Sequence, residues 1–476
     1  MQSALRSVGP IAACPIALCL LAAFGASPVR AQDKPRADAA ASASKTDAQL
    51  ESRVDALAKA SLAQPGGVGL SIAVARKGQV LLAKGYGLAD AEFDVPADGE
   101  TMFRIGSITK QFTSAAILRC AERGQLSLDD DVSKYVPTFP LQGKHVTLRQ
   151  LLTHTSGIPS YTDTGEEWKK KWPLELTHDE LLALVKDKPF DFEPGTKWAY
   201  DNTGYYLLGM VLESVAGKPY AEVVQSELFE PLKLTRTRYD SNVDLIKNRA
   251  QGYAFSHGVL VNDQPLGTSQ PGAAGALLST ASDLVRWQMV LTGGAVVKPD
   301  SYKAMTTPTV LPDGKDTHYG FGLAIDELAG KKRIQHGGGI FGFNSMLMWF
   351  PDDDVHVAVI SNGEPLSSSK IADEVAYIAL GIEKPAVKDD AIPAERIAKL
   401  TGVYHLTTVG LDVKIFTKDG KLFAQATGQG AFRLQWQGGD EFRAEFDDSV
   451  RVVFAADAQS FTLYQGGGAF QAERSK

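Results

Sequence analysis

Strand-type sequence stands at both ends of a long helix-patterned stretch in this chain, and that arrangement restricts the fold more than any other feature. Residues 69–74 and 79–84 flank Lys77-Gly78, a hairpin turn signal. Far downstream, residues 319–325, 342–350 and 355–361 alternate or run apolar, the last of them rich in β-branched side chains. Between them the period is helical at 107–122, 178–186, 202–215, 220–228 and 282–291, and residues 370–380 supply a closing helix. In the first of these, Ile108, Phe112, Ala115 and Ala116 share one stripe, and Gly124 is a natural stop. Strands at the ends with helices between predict an α+β domain whose first and last segments share one sheet flanked by helices.

At 476 residues the chain is too long for one compact core. Residues 1–31 read as an export signal, with Arg6, an apolar stretch over 11–24, and Val29-Arg30-Ala31 before a cleavage point at Gln32. The apolar stretch is shorter than the roughly 20 residues a spanning helix needs. Ile11-Ala12-Ala13-Cys14 bears a faint likeness to a lipidation site, but too little apolar sequence precedes Cys14. Residues 32–48, rich in Ala, Ser, Asp and Lys, are expected to form a flexible tether, and a helix is expected over 49–62. The α+β domain then spans 49–383 and a Pro-bounded linker spans 384–393. Residues 394–476 change to short alternating runs, with Asp419-Gly420 as a hairpin signal, and predict a small antiparallel β-barrel or sandwich. The expected location is outside the bacterial cytoplasm, periplasmic or secreted, with no membrane span once the signal is removed. Cleavage would take Cys14 and Cys19 and leave Cys120, so no internal disulfide is expected. A net charge of −7 without basic runs argues against nucleic acid or an anionic membrane as partner.

Ser-x-x-Lys occurs three times, as Ser42/Lys45, Ser107/Lys110 and Ser367/Lys370. Ser42 falls in the expected tether, and Ser367 sits in a polar run suited to a helix cap. Only Ser107 opens a long amphipathic helix after an apolar approach, Phe103-Arg104-Ile105-Gly106. Residues three apart share a helical face, so Lys110 can reach Ser107, and the helix start favours developing negative charge. A buried amine loses affinity for its proton and can act as base. The plain alternative makes Ser107 a helix cap and Lys110 a solvated charge. Tyr200-Asp201-Asn202 is the one Tyr-x-Asn in the chain and precedes a helix. Its phenol can move protons if nearby cations lower its pKa. Asn202 can bind a substrate amide, orient Lys110, or cap the helix. In His336-Gly337-Gly338-Gly339 the glycines allow close approach of a ligand, and such a strand edge can offer an oxyanion amide beside that of Ser107. His318-Tyr319-Gly320 matches the same loose pattern, which shows how cheap it is. No Gly-x-Ser-x-Gly elbow and no His-Glu-x-x-His occur, so an α/β-hydrolase and a zinc hydrolase are disfavoured, and no metal or cofactor is expected.

In order and separation these three motifs resemble those of the serine β-lactamase and penicillin-binding-protein-like superfamily, which includes class C β-lactamases, D-alanyl-D-alanine carboxypeptidases, D-aminopeptidases and β-lactamase-fold esterases. The likeness covers residues 50–381 and extends to Leu151-Leu152-Thr153-His154-Thr155-Ser156-Gly157-Ile158 and to residues 275–284, read as framework. The resemblance implies a β-lactamase/transpeptidase-like domain. It makes Ser107 the acylated nucleophile, Lys110 and Tyr200 the proton movers, and Asn202, His336, Gly338 and Gly339 the residues facing substrate, with Gly339's amide in the oxyanion hole. The third motif in the family is often Lys-Thr-Gly. His336-Gly337 here replaces a cation and a hydroxyl, which weakens recognition of a substrate carboxylate. The implied function is hydrolysis of peptide, amide or ester bonds of a small molecule or peptide. A β-lactamase and a non-catalytic penicillin-binding or sensor module are the alternatives. Appended β-domains of D-aminopeptidase-like relatives can border the active site.

Overall fold

The computed structural model describes residues 35–384, 386–406, 411–446, 450–465 and 468–475. The expected export signal and Cys14 lie outside these residues. The described residues from Ala48 onward form one compact unit. Helix α1 runs from Pro35 to Leu62, so the stretch expected to be a tether is helical from Pro35 onward. Ala37, Ala39, Ala40, Ala41 and Ala43 carry the highest helix propensity, and Pro35 is suited to a first helical position, which outweighs the missing apolar period.

The main sheet is built from strands β1 (Gly69–Arg76), β2 (Gln79–Asp90) and β3 (Val95–Pro96) at the start of the domain. Strands β4 (Ala324–Leu328), β5 (Lys331–Ile340), β6 (Phe343–Phe350) and β7 (Val355–Ser361) come from its end. Their order is β3-β2-β1-β7-β6-β5-β4, and β1 pairs antiparallel with β7, Leu70 opposite Ser361 and Val74 opposite Val357. The first and last segments therefore share one sheet, as the strand distribution required. The strand expected at 319–325 lies instead at Ala324–Leu328, because Tyr319 joins it only through an isolated bridge to Ala324.

Strand β1 is buried almost throughout because helices cover both faces of the sheet. Leu70, Ile72 and Val74 pack with Leu50, Val54 and Ala58 of α1 and with Ile371 and Val375 further on. Ala73 and Ala75 point the other way, into the larger core with Phe112, Leu284 and Trp287. That core is closed by helices α2 (Thr109–Glu122), α3 (Asn202–Ala216) and α4 (Ala281–Thr292), while α5 (Ser368–Leu380) covers the opposite face. Ser367 caps α5 by accepting from the Lys370 amide, the structural role expected for that serine. Cys120 is buried in α2, the packing role expected for it.

A short helix, Ala394–Leu400, leads into a closed antiparallel barrel of β8 (Gly402–Leu406), β9 (Leu411–Lys418), β10 (Lys421–Ala426), β11 (Phe432–Gly438), β12 (Glu441–Ala444), β13 (Arg451–Phe454), β14 (Ser460–Gln465) and β15 (Gly468–Arg474). Closure decides between the barrel and the sandwich left open by the alternating pattern. The barrel has its own core around Tyr404, Phe442, Phe454 and Phe461. Among the described residues no helix is long and apolar enough to cross a membrane.

Candidate active site

Ser107 sits in a tight 3-10 turn, Gly106–Ile108, which runs straight into α2. No side chain caps either element, so the hydroxyl is not consumed as a helix cap. The turn is pressed against β5. Gly106 has φ +50°, and a Cβ there would lie 2.9 Å from the Gly339 amide nitrogen. A Cβ on Gly338 would lie 2.0 Å from the Ile105 carbonyl oxygen. Only glycine lets the two backbones meet at this distance. Ser345 of β6 pins the same turn by donating to the Ile105 carbonyl at 2.8 Å. The side of Gly339 where a Cβ would stand is open, so its backbone faces free space.

Lys110 is fully buried one helical turn on. Its Nζ lies 3.1 Å from Ser107 Oγ, 2.8 Å from Asn202 Oδ1 and 2.9 Å from the Ala274 carbonyl oxygen. Burial holds its pKa well below the usual lysine range, with the Asp201 carboxylate as the opposing influence. A neutral amine has two N–H groups and one lone pair. When Lys110 is in that neutral form, the two carbonyl oxygens can take its N–H groups, which leaves the lone pair for the Ser107 hydroxyl.

Helix α3 supplies the second motif. Its cap is Asp201, which accepts from the Gly204 amide at 3.0 Å. Capping expected of Asn202 is thereby taken over, and Asn202 is free to orient Lys110 while its Nδ2 donates to Thr162 at 3.2 Å. Tyr200 packs, half-buried, against the same lysine, whose Nζ lies 4.8 Å from the ring centre. The lowered phenol pKa considered from the sequence does not arise. Burial raises it, opposed by a hydrogen bond with Ser107, so Tyr200 stays protonated at neutral pH. Burial likewise pushes the Asp201 carboxyl up to about 7.

His336 is buried on β5 and its pKa falls to about 3, through burial first and then the Lys110 charge. Its hydrogen bonds fix one neutral arrangement. His336 Nδ1–H donates to its neighbour's carbonyl, Gly337 O, at 2.6 Å, so Nε2 accepts from the Tyr319 hydroxyl at 2.8 Å. Tyr319 in turn accepts from His154 Nε2–H at 3.3 Å, because His154 Nδ1 already accepts from the Asp201 amide at 3.1 Å. This chain of uncharged groups was not legible as a site. In the sequence His154 belongs to a framework segment, and His318-Tyr319-Gly320 is only a loose repeat of the His336 pattern. His318 is exposed, whereas Tyr319 is the buried partner.

Two lobes open on either side of Ser107. One, of about 590 Å³, is lined by Trp198, Tyr200, Tyr319, His336, the loop after β7 and Phe470 of the barrel. The other, of about 360 Å³, is lined by Tyr161, Trp168, Asn202, Phe341 and Phe343. Gly339 and Glu364 border both. Ser107, Lys110, Tyr200, Asn202, His336, Gly338 and Gly339, drawn from three distant stretches, therefore meet at one place. Glu364 was missed; it lies on an exposed loop and belongs to no motif. Among the described residues no three ligating side chains gather to hold a metal ion.

The family model described as Beta-lactamase matches residues 54–380. The chain belongs to the β-lactamase family. It is 28% identical over 432 residues to penicillin-binding protein 4* of Bacillus subtilis, covering 85% of this chain and 95% of that protein. The octameric penicillin-binding protein homologue of Pyrococcus abyssi superposes with a TM-score of 0.64 at 28% identity, over 90% of this chain and 99% of that one. A D-stereospecific amidohydrolase from Streptomyces sp. superposes with a TM-score of 0.59 at 30% identity, over 68% of this chain and 97% of that one. As a β-lactamase-family member with amidohydrolase and penicillin-binding neighbours, this protein is a serine hydrolase.

Proposed function

We propose that the protein cleaves amide, ester or peptide bonds through an acyl-enzyme on Ser107, in the manner of D-aminopeptidases and β-lactamase-fold esterases. The observation that carries this reading is the buried Lys110 amine, held by the Asn202 and Ala274 oxygens with its Nζ 3.1 Å from Ser107 Oγ. Lys110 takes the Ser107 proton as Oγ attacks the carbonyl carbon, and the carbonyl electrons move onto oxygen. The amides of Ser107 and Gly339 stabilise that oxyanion. The bond to the leaving group then breaks, the leaving nitrogen or oxygen takes a proton from Tyr200, and Tyr200 recovers it from the Lys110 ammonium. Water enters where the leaving group stood and releases the acyl group by the same steps reversed. Tyr200 lines only the larger lobe and Asn202 only the smaller. The larger lobe is accordingly the leaving-group side and the smaller, aromatic lobe the acyl side.

A β-lactam or a C-terminal D-alanine peptide carries a carboxylate. Among the described residues lining the two lobes there is no lysine or arginine, and His336 is neutral with Nε2 already engaged. Both readings are disfavoured on that ground. The test is mass spectrometry after treatment with a fluorophosphonate. The adduct is expected on the peptide bearing Ser107 and absent in Ser107→Ala, with Lys110→Ala slowing adduct formation roughly 10²- to 10⁴-fold. Labelling undiminished in Ser107→Ala would sink the assignment, and no labelling or turnover at all would favour a non-catalytic binding module.

A further inference from the structure

The smaller lobe owes its shape to a side chain that does not line it. Tyr161, Trp168, Phe341 and Phe343 make its aromatic wall, with Trp168 5.7 Å edge-on to Tyr161 and stacked on Phe341 at 6.2 Å. Trp168 comes from a surface segment, residues 163–175, that is mostly exposed and polar and forms one helical turn, Glu166–Lys169. Such a segment buries too little apolar area to hold one conformation by itself. Gln270, fully buried behind the wall, holds it. Its Oε1 accepts from Trp168 Nε1 at 2.8 Å, and its two Nε2 hydrogens face the carbonyls of Leu174, Lys171 and Trp172 at 2.6, 2.8 and 3.1 Å. Its own carbonyl accepts from the Tyr161 hydroxyl at 2.9 Å. Neighbouring residues add a clasp. Glu175 accepts from the Thr268 and Ser269 amides, each at 2.8 Å, and the Trp172 carbonyl accepts from the Gly267 amide at 2.7 Å. Further along the same stretch, the Ala274 carbonyl holds Lys110 Nζ. One run of chain thus fixes the aromatic wall with respect to the reacting centre.

We propose that Gln270, which touches no substrate, is the positioning residue that sets how sharply this protein discriminates between acyl groups. With Trp168 and Tyr161 locked from behind, the lobe meets an aromatic or bulky apolar acyl group with a preformed wall, and binding costs little further ordering. An acetyl group offers that wall a single methyl and gains little from it. Without Gln270 the Trp168 N–H and three carbonyls turn to water, the segment loosens, and the advantage of the larger acyl group fades. This rests on the acyl-enzyme at Ser107 and on the smaller lobe as the acyl side.

The test uses the full chain and two esters, p-nitrophenyl phenylacetate and p-nitrophenyl acetate. The readout is the ratio of their kcat/KM values, each divided by the uncatalysed hydrolysis rate. In the wild type the ratio is expected well above one. In Gln270→Met, which keeps the length without the amide, it is expected to fall roughly 10-fold, with the loss in KM for the phenylacetyl ester. Deuterium exchange over residues 163–176 is expected to quicken in the same variant. Trp168→Ala should lower the ratio as far, and adding Gln270→Met to it should lower the ratio little further, because the two act as one unit. Trp168→Phe, which keeps a ring and removes only Nε1, should lower the ratio roughly 3-fold and carries the test where Gln270→Met does not fold. A ratio unmoved in the variant that carries the test, an equal loss on both esters, or full additivity of the two substitutions would overturn the proposal. Ester turnover and Ser107 labelling with a wild-type ratio near one refutes the positioned wall alone. Loss of ester turnover and labelling in the wild type removes the Ser107 reading and this one with it.

Discussion

Replacing Asp201 by Asn tests how the buried centre is poised. The exchange keeps the shape and a side-chain oxygen able to cap α3, and Asn caps helices about as well as Asp. What it removes is a carboxyl group that burial has pushed from 3.8 to about 7, against hydrogen bonds from Gly204, Thr203 and Ser156 and the attraction of Lys110. The folded acid holds its proton more tightly than the unfolded one. Between pH 4 and 7 the folded state therefore binds more protons, and stability falls as pH rises through that window. A gap of about three units corresponds to a contribution on the order of 4 kcal/mol. Asn carries no such penalty. The unfolding free energy of Asp201→Asn relative to wild type, from urea titrations at pH 4, 5.5 and 7, should climb across the window and level off near pH 7. Activity supplies a second readout. The Asp201 charge favours protonated Lys110, so its loss should move the acidic limb of kcat/KM for a p-nitrophenyl ester to lower pH. A stability difference that stays flat with pH, or an acidic limb that moves upward, would refute this account of the centre.

Tyr200→Phe should slow acylation at least about 10²-fold with anilide substrates, whose leaving nitrogen must be protonated, and much less with p-nitrophenyl esters, whose leaving group needs no proton. Equal losses on both would remove Tyr200 from the role of proton donor. Gly338→Ala should cut ester turnover more than tenfold and lower stability by about 1–3 kcal/mol, because the new Cβ would stand 2.0 Å from the Ile105 carbonyl oxygen and must push β5 away from the Ser107 turn. Wild-type turnover and an unchanged urea midpoint would show that the two backbones need not meet so closely.

Much of the fold was legible because its signals are local. Alternation and helical period marked the strands at both ends, the helices between them and the change to an antiparallel β-domain. Local pattern was less reliable where composition and period disagreed. The Ala-rich stretch from Pro35 is helical although it lacks an apolar stripe. Tyr319 stands outside the strand assigned to it, because what places it is a buried hydrogen bond to His336 rather than a ladder.

The pairing of Ser107 with Lys110 was determined by the sequence alone, since they stand three positions apart and a helical turn must bring them together. The same holds for the special backbone demanded by Gly106 and Gly338, written as glycines beside the motifs. What the pair can do was decided only by the tertiary structure. The Lys110 amine is poised by burial and by acceptors 92 and 164 residues away in sequence, Asn202 and Ala274. The cap of α3 falls to Asp201, which frees Asn202. His336 is held neutral through Tyr319 and His154, and Glu364 reaches the cavity rim from a loop with no motif. The physical reason is that spacing along a chain governs which neighbours share a helical face, whereas proton affinity depends on desolvation and on charges that only the folded chain brings within reach.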